Sequence, residues 1–234
     1  MGFLINPYNF GIVPSFSDNG SLWIDQTDAD SLWARSDTVN NYLRANYTNK
    51  NVDFNIKRDA SNDAIVRALG LSVSNTIWLL RYKTTSTSYT AGNDISSFWC
   101  LSNSDQTVAG DAAQDSIGYV VSGTGTNNDV GSFDTDGTSP TSAGSENTVT
   151  QAFTATNPYA FTVARLTATT CQTKIFSDNY ITTLQTINGT PLSTTTGLNK
   201  FKIMNRGAGA ANTGAGVYIG TLDDLEVYDG RSSV

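Results

Sequence analysis

The stretch NVDFNIKR, residues 51–58, alternates between apolar and polar side chains. Side chains of an extended strand point to opposite faces in turn, so Val52, Phe54 and Ile56 share one face. The polar residues between them share the other face. This pattern predicts a strand with one face in a core and one face toward solvent.

Similar short stretches recur along the whole chain, separated by Gly, Asn, Asp and Ser. They are IWLLRYK (77–83), SFWCLS (97–102), SIGYVVS (116–122), YAFTVARL (159–166), CQTKIFS (171–177), KFKIMNR (200–206), GVYIG (216–220) and LDDLEVY (222–228). IWLLRYK carries apolar residues at both parities, which predicts a strand buried on both sides. The polar stretch 122–149 is expected to be a surface hairpin or loop. We therefore predict an all-β protein, a two-sheet antiparallel β-sandwich.

Composition narrows the function classes. The chain has 234 residues, a net charge of −7 and only 14 Lys and Arg, which are scattered singly. A nucleic-acid partner is not expected, because backbone binding needs a basic stripe. There is no histidine, which removes Ser-His-Asp and Cys-His catalysis and the ordinary zinc ligand sets. No apolar run is long enough for membrane insertion, and no secretory signal is recognisable at the N-terminus. Cys100 and Cys171 are either two buried free thiols or a disulfide.

Residues 1–14 are predicted to be an N-terminal arm ahead of a single domain, residues 15–234. The arm carries an apolar cluster: Phe3, Leu4, Ile5, Pro7, Tyr8 and Phe10. Two interpretations remain open, an edge strand that folds onto the domain's own core and a peptide that docks onto a neighbouring protein. An apolar arm is costly to leave in water unless something covers it.

The acids near the C-terminus raise the question of catalysis. Asp224 and Glu226 share a face of the last strand, about 7 Å apart, a spacing that acid/base work tolerates. No third acid completes a glucanase pattern, and no Trp lies in the strand to seat a sugar ring. We therefore expect the protein not to be an enzyme.

Trp23 and Trp33 occur in SLWIDQTDADSLWARSD, a near-repeat of Ser-Leu-Trp. If exposed beside Asp and Asn, they would form a ligand-binding platform on which a sugar stacks. The alternative is that both indoles lie in the core or at a subunit contact.

The order of several stretches resembles the concanavalin A-like, laminin-G-type jelly-roll modules over residues 15–230. The stretches are NTIWLLRYKTTSTSY (75–89), FWCLSNSDQTVAGDAAQDSIGYVV (98–121), FDTDG (133–137), YAFTVARLTATTCQTKIFSDNYITTL (159–184), GLNKFKIMNR (197–206) and GTLDDLEVYDG (220–230). The opening MGFLINPYNFG is similar to the starts of phage virion proteins.

The resemblance implies a non-enzymatic virion protein, a capsid decoration or fibre-type adhesin. Its arm would bind a capsid or tail protein, and it would form a homo-oligomer, with a trimer as the expected form. It also implies a structural calcium held by Asp18 and Asp223, since Asp223 has the core-side parity of Leu225; the alternative is that Asp223 accepts turn amides and no metal binds. The alternative function is a carbohydrate-binding, lectin-like module of an extracellular or cell-surface protein, with a glycan as partner.

Overall fold

The computed structural model describes residues 12–36, 43–56, 63–90, 96–105, 114–124, 127–136, 146–151, 153–154, 156–177, 179–205 and 217–233. The predicted docking residues Phe3, Leu4, Ile5, Pro7, Tyr8 and Phe10 lie outside these ranges. The docking role of residues 1–14 therefore stays a prediction.

The described residues form fifteen strands and one short helix. In chain order these are β1 (Phe16–Asp18), α1 (Gln26–Leu32), β2 (Trp33–Arg35), β3 (Leu43–Asn46), β4 (Asn51–Ile56), β5 (Asp63–Ala68), β6 (Trp78–Thr90), β7 (Ser96–Ser102), β8 (Asp115–Thr124), β9 (Asn127–Asp136), β10 (Glu146–Thr150), β11 (Pro158–Thr167), β12 (Thr170–Phe176), β13 (Thr183–Gly189), β14 (Lys200–Asn205) and β15 (Val217–Asp229). Asp25 caps the N-terminus of the helix, because its side chain accepts a hydrogen bond from the Asp28 amide.

The strands form two antiparallel sheets, which confirms the predicted sandwich. The eight-stranded sheet has the order β13-β12-β11-β6-β15-β4-β3, with β1 paired against β15. The seven-stranded sheet has the order β10-β9-β8-β7-β14-β5-β2. The first and last strands of the described chain are therefore neighbours in the eight-stranded sheet.

The opening stretch behaves as its alternation predicts. Val52, Phe54 and Ile56 of β4 are buried in the main core cluster, while Asp53 and Asn55 are only partly buried. Alternation therefore gives the correct parity for this strand.

The core between the sheets is built around a stack of aromatic rings. Tyr82 of β6 stacks on Trp99 and Phe161, with ring centroids 5.8 and 5.5 Å apart. Tyr119 of β8 stacks on Phe161 at 5.3 Å. The hydroxyls of Tyr82 and Tyr119 hydrogen-bond to each other, so neither buried polar tip lacks a partner.

Strand β6 corrects one expectation. Trp78, Leu79, Leu80 and Tyr82 are buried, but the outward-facing Arg81 and Lys83 side chains remain 25% and 35% exposed. The prediction that this strand is buried on both sides is therefore wrong for its basic residues. They border the site described below.

The polar stretch 122–149 contains structure that its composition hides. Strand β9 occupies Asn127–Asp136 and pairs with β8 as a hairpin. Val130 and Phe133 are its buried apolar residues. The hairpin interpretation of this stretch therefore holds for residues 127–136, and the loop interpretation does not.

The two cysteines are free. Cys100 lies in β7 of the seven-stranded sheet and Cys171 in β12 of the eight-stranded sheet, and both are buried. Burial raises the pKa of the Cys100 thiol to about 11, so this thiol stays protonated at neutral pH. The free-thiol interpretation is confirmed.

Candidate functional site

A β-bulge in β15 arranges the acidic residues near the C-terminus. Asp223 pairs with Lys83 of β6 and Glu226 pairs with Arg81, so three steps along β15 oppose two along β6. Asp224 takes up the extra residue with a φ of 53°, in the left-handed region. A bulge resets the alternation of side chains. As a result Asp223 does not share the core side with Leu225, and the predicted parity of Asp223 is wrong.

The bulge places Asp224 and Glu226 beside the two basic residues of β6, Lys83 and Arg81. Lys83 Nζ lies 2.8 Å from Asp224 Oδ2, and Arg81 Nε donates to the Glu226 carboxylate. The Tyr228 hydroxyl also donates to Glu226 Oε2, at 3.1 Å. Burial lowers the pKa of Arg81, but the hydrogen bond and charge of Glu226 outweigh it, so that the net shift is upward. Each carboxylate is therefore matched by a cation.

Tyr180 completes this surface from the connection between β12 and β13. Its ring lies over the guanidinium of Arg81, with Arg81 Cζ 4.8 Å from the ring centroid. The ring meets Phe176 edge-on at 5.7 Å. Tyr180 has a φ of 65°, which is strained for a residue other than glycine. Its backbone conformation is thus held by these contacts in spite of a local cost.

The hydroxyl of Tyr180 is buried and has no hydrogen-bond partner among the residues that the structure describes. Burial also raises the pKa of Tyr180, so the hydroxyl is protonated and can both donate and accept. A buried hydroxyl without a partner costs about 1–3 kcal/mol. An unpaired buried hydroxyl is rare in native proteins, and one that belongs to a residue lining a pocket suggests that a ligand pairs with it.

Two adjoining cavities lie on this outer face of the eight-stranded sheet and share Arg81 and Tyr180. The acidic pocket, of about 430 Å³, is lined by Arg81, Lys83, Asn179, Tyr180, Asp224 and Glu226. The lysine pocket, of about 150 Å³, is lined by Leu79, Arg81, Thr162, Lys174, Phe176, Tyr180, Ser232 and Ser233. We call the two together the sheet groove. The volume of the acidic pocket, even without the lysine pocket, falls within the usual range of small-molecule sites.

The groove combines hydrogen-bond donors and acceptors with an aromatic surface. It offers carboxylate, amide, hydroxyl and guanidinium groups beside an aromatic ring. Asp224 and Glu226 do share this face, as expected, but each is engaged by a basic side chain.

The two candidate tryptophans lie elsewhere and are buried. Trp23 is 5% exposed and Trp33 is 1% exposed. Both indole N–H groups donate to the Asp18 carboxylate, at 3.1 and 3.2 Å. A stacking platform needs an exposed ring face, so the predicted ligand-binding role of Trp23 and Trp33 does not fit this burial. Their alternative place in the core does.

Asp18 and Asp223, the predicted calcium ligands, line one narrow cavity of about 10 Å³. The oxygens of Asp18 already accept four N–H donors, from Gly20, Trp23, Trp33 and Arg67, which matches the number of lone-pair sites of a carboxylate. Asp223 accepts from the Thr221 hydroxyl at 3.2 Å.

Calcium does not fit this pair of residues. The Arg67 guanidinium lies 2.6 Å from Asp18 and so takes the place beside this carboxylate that a cation would need, and Lys50 lines the same small cavity. Within the described residues there is no cluster of three or more acidic, His or Cys side chains that could hold a metal ion. Asp18 is ion-paired with Arg67, and Asp223 is hydrogen-bonded to Thr221.

Sequence reasoning missed most residues of the groove. It weighed Asp224 and Glu226 but not Arg81, Lys83 or Tyr180. A usable signal was present, because Arg81 and Lys83 are two steps apart in IWLLRYK and therefore share the face opposite Tyr82. What sequence alone does not reveal is that β6 and β15 are neighbours.

No family model and no curated protein matches the sequence. Solved structures do share its fold. A legume lectin-like domain from Entamoeba histolytica superposes with a TM-score of 0.56 at 12% identity, over 94% of this chain and 99% of that one. Peanut lectin with a 9mer peptide gives 0.56 at 11% identity, over 91% and 96%. The lectin UEA-II complexed with galactose gives 0.59 at 7% identity, over 92% and 99%.

These comparisons establish the fold as a concanavalin A-like, legume lectin-like β-sandwich. At such low identity they establish nothing beyond it, and they give no support to a virion context. In the part of the chain that the structure describes, no helix has the length and apolar character needed to cross a membrane.

Proposed function

We propose that this protein is a carbohydrate-binding, lectin-like module and that the sheet groove is its sugar site. The proposal favours the alternative function expected from sequence over a structural role in a virus particle. Binding without turnover is proposed, since both groove carboxylates are engaged by cations.

The buried hydroxyl of Tyr180 is the observation that carries this proposal. The Tyr180 side chain borders both pockets, and its hydroxyl lacks a partner among the described residues. A sugar hydroxyl can either donate to it or accept from it, and one such hydrogen bond would remove the cost of leaving it unpaired. An apolar ligand would leave that cost in place.

The chemistry around Tyr180 supports the same ligand class. Asp224 Oδ and Glu226 Oε atoms accept hydrogen bonds, Arg81 donates them, and Asn179 does both. The rings of Tyr180 and Tyr228 both lie near the Arg81 guanidinium, at 4.8 and 5.3 Å. A few convergent polar groups beside an aromatic surface are typical of a small-molecule site.

The fold adds support of a weaker kind. The structures it resembles include a lectin complexed with galactose, and their sandwiches align with almost the whole of this chain. Fold alone does not specify function, so the proposal depends on the groove.

A glycan array tests the proposal. We expect the wild-type protein to bind a subset of glycans and Tyr180→Ala to lose at least about 10-fold in affinity for them, because both ring contact and hydroxyl are removed. Tyr180→Phe, which removes only the hydroxyl, should weaken binding about 2- to 10-fold. Titration calorimetry on the array hits would give these ratios.

Tyr47→Ala is the matched control. Tyr47 is also a partly buried tyrosine under a cation, since Lys50 Nζ lies 3.6 Å from its ring centroid, but it does not line the groove. This variant should bind like the wild type, and thermal unfolding would verify that all three variants are folded. A wild-type protein that binds no glycan, or a folded Tyr180→Ala variant with unchanged affinity, would contradict the proposal.

A further inference from the structure

A row of outward-facing side chains crosses the eight-stranded sheet beneath the lysine pocket. In register, Lys174 of β12 pairs with Thr162 of β11, Thr162 pairs with Arg81 of β6, and Arg81 pairs with Glu226 of β15. Adjacent strands lie about 4.8 Å apart, which places the Lys174 and Arg81 backbones about 10 Å apart. The Thr162 hydroxyl lies between two cationic side chains.

The charges along this row do not balance. Glu226 compensates Arg81, and Asp224 compensates Lys83. Among the described residues, the Lys174 amine has neither a hydrogen bond nor an ion pair. The described residues that line the lysine pocket include no Asp or Glu. The pocket thus presents an unmatched positive charge on a chain whose net charge is −7.

We infer that the ligand of the sheet groove is an acidic saccharide, whose anionic substituent binds in the lysine pocket. This inference rests on the proposed function. The anionic group would accept charge-assisted hydrogen bonds from Lys174 and a neutral one from Thr162. The Arg81 guanidinium flanks the same position and adds attraction without leaving Glu226.

The rest of the groove gives the saccharide its orientation. The ring that carries the anionic group lies against Tyr180, which borders both pockets, and its neutral hydroxyls face Asp224, Glu226 and Asn179. An anionic group placed in the acidic pocket would instead meet two carboxylates, and the two cations there are already paired with them. The difference between the two pockets therefore specifies which end of the ligand is acidic.

Binding measurements on charged and neutral glycans test this inference. The panel comprises oligogalacturonate, its neutral methyl ester, a sulfated galactose oligosaccharide and the unsulfated parent. We expect at least one acidic member to bind 10-fold or more tightly than its neutral counterpart. Preference for oligogalacturonate would identify a carboxylate as the recognised group, and preference for the sulfated compound would identify a sulfate.

Variants of Lys174 connect the preference to the pocket. Lys174→Gln should bind the preferred acidic glycan about 10-fold more weakly, because one charged contact is lost. For the same reason its affinity should depend less on salt concentration between about 0.05 and 0.5 M than that of the wild type. Lys174→Arg should retain most of the affinity. Lys200→Gln is the control, because it changes the net charge equally from a position that does not line the groove.

The outcomes separate the two proposals. Equal binding of neutral and acidic glycans, or an unchanged affinity of Lys174→Gln, would overturn the acidic ligand while leaving a neutral carbohydrate site in place. Binding of no member of the panel or of the array would overturn the proposed function and this inference with it.

Discussion

Replacing Asp18 by alanine is expected to lower the free energy of unfolding by about 3 to 5 kcal/mol. The Asp18 side chain is only 6% exposed and lies 2.6 Å from Arg67 Nε. Truncation leaves the guanidinium without its partner in a largely buried position. It also leaves the indole N–H groups of Trp23 and Trp33 without an acceptor. The loss is large because several N–H donors are left without an acceptor at once, and each buried, unpaired donor costs free energy.

Urea unfolding followed by tryptophan fluorescence measures this change. Asp105→Ala is the control, since Asp105 is 72% exposed and its contact to Lys200 is long, at 3.6 Å. That substitution should change the free energy of unfolding by less than about 1 kcal/mol. A similarly small change for Asp18→Ala would mean that the contacts of Asp18 with Arg67, Trp23 and Trp33 do not stabilise the fold.

Gly118→Ala is expected to destabilise the protein by about 3 kcal/mol or more, at the upper end of the overpacking range. A Cβ at Gly118 would lie 2.0 Å from the backbone oxygen of Trp99 and 2.6 Å from the Cα of Cys100. Both atoms belong to the backbone of the neighbouring strand β7, which cannot rotate away like a side chain. The two strands would have to separate, weakening the hydrogen bonds at the centre of the seven-stranded sheet.

Gly70→Ala separates this steric effect from an ordinary loss of glycine. Gly70 has a φ of +71°, and a Cβ there would meet nothing within 4 Å. Its substitution should cost about 1–2 kcal/mol, from backbone strain alone. Urea unfolding measures the free energy of unfolding of both variants. If Gly118→Ala yields no soluble folded protein, that result also agrees with a large destabilisation. Equal costs for the two substitutions would contradict the close strand approach at Gly118.

Alternation of side chains predicts most of this fold because burial imposes it. Val52, Phe54 and Ile56 face the core, and each contributes apolar burial only in that parity. For the stretch that contains β9 the sequence leaves a hairpin and a loop both open, because its run of Asn, Asp, Gly and Ser has little β-propensity. β9 is nevertheless a strand, because Val130 packs into the core between the sheets and Phe133 packs against Phe98 in a second buried cluster.

The site was harder to predict than the fold. The bulge at Asp224 shifts the parity of β15 by one residue, so that Leu222 and Leu225 are both buried although they are three positions apart. Strict alternation assigns Asp223 to the wrong face. Trp23 and Trp33 stand next to polar residues in sequence, yet Asp18 satisfies both of their N–H groups inside the structure. Such outcomes depend on pairings between distant segments, which local patterns do not contain.

The central claim is that a saccharide binds on the outer face of the eight-stranded sheet. The most direct test is a crystal structure of the protein with the tightest glycan of the array, at a concentration well above its Kd. We predict sugar density in the sheet groove, with a ring against Tyr180 and a hydrogen bond to its hydroxyl. Density for the glycan on the seven-stranded sheet or at the sandwich edges, with the groove free of it, would contradict the claim.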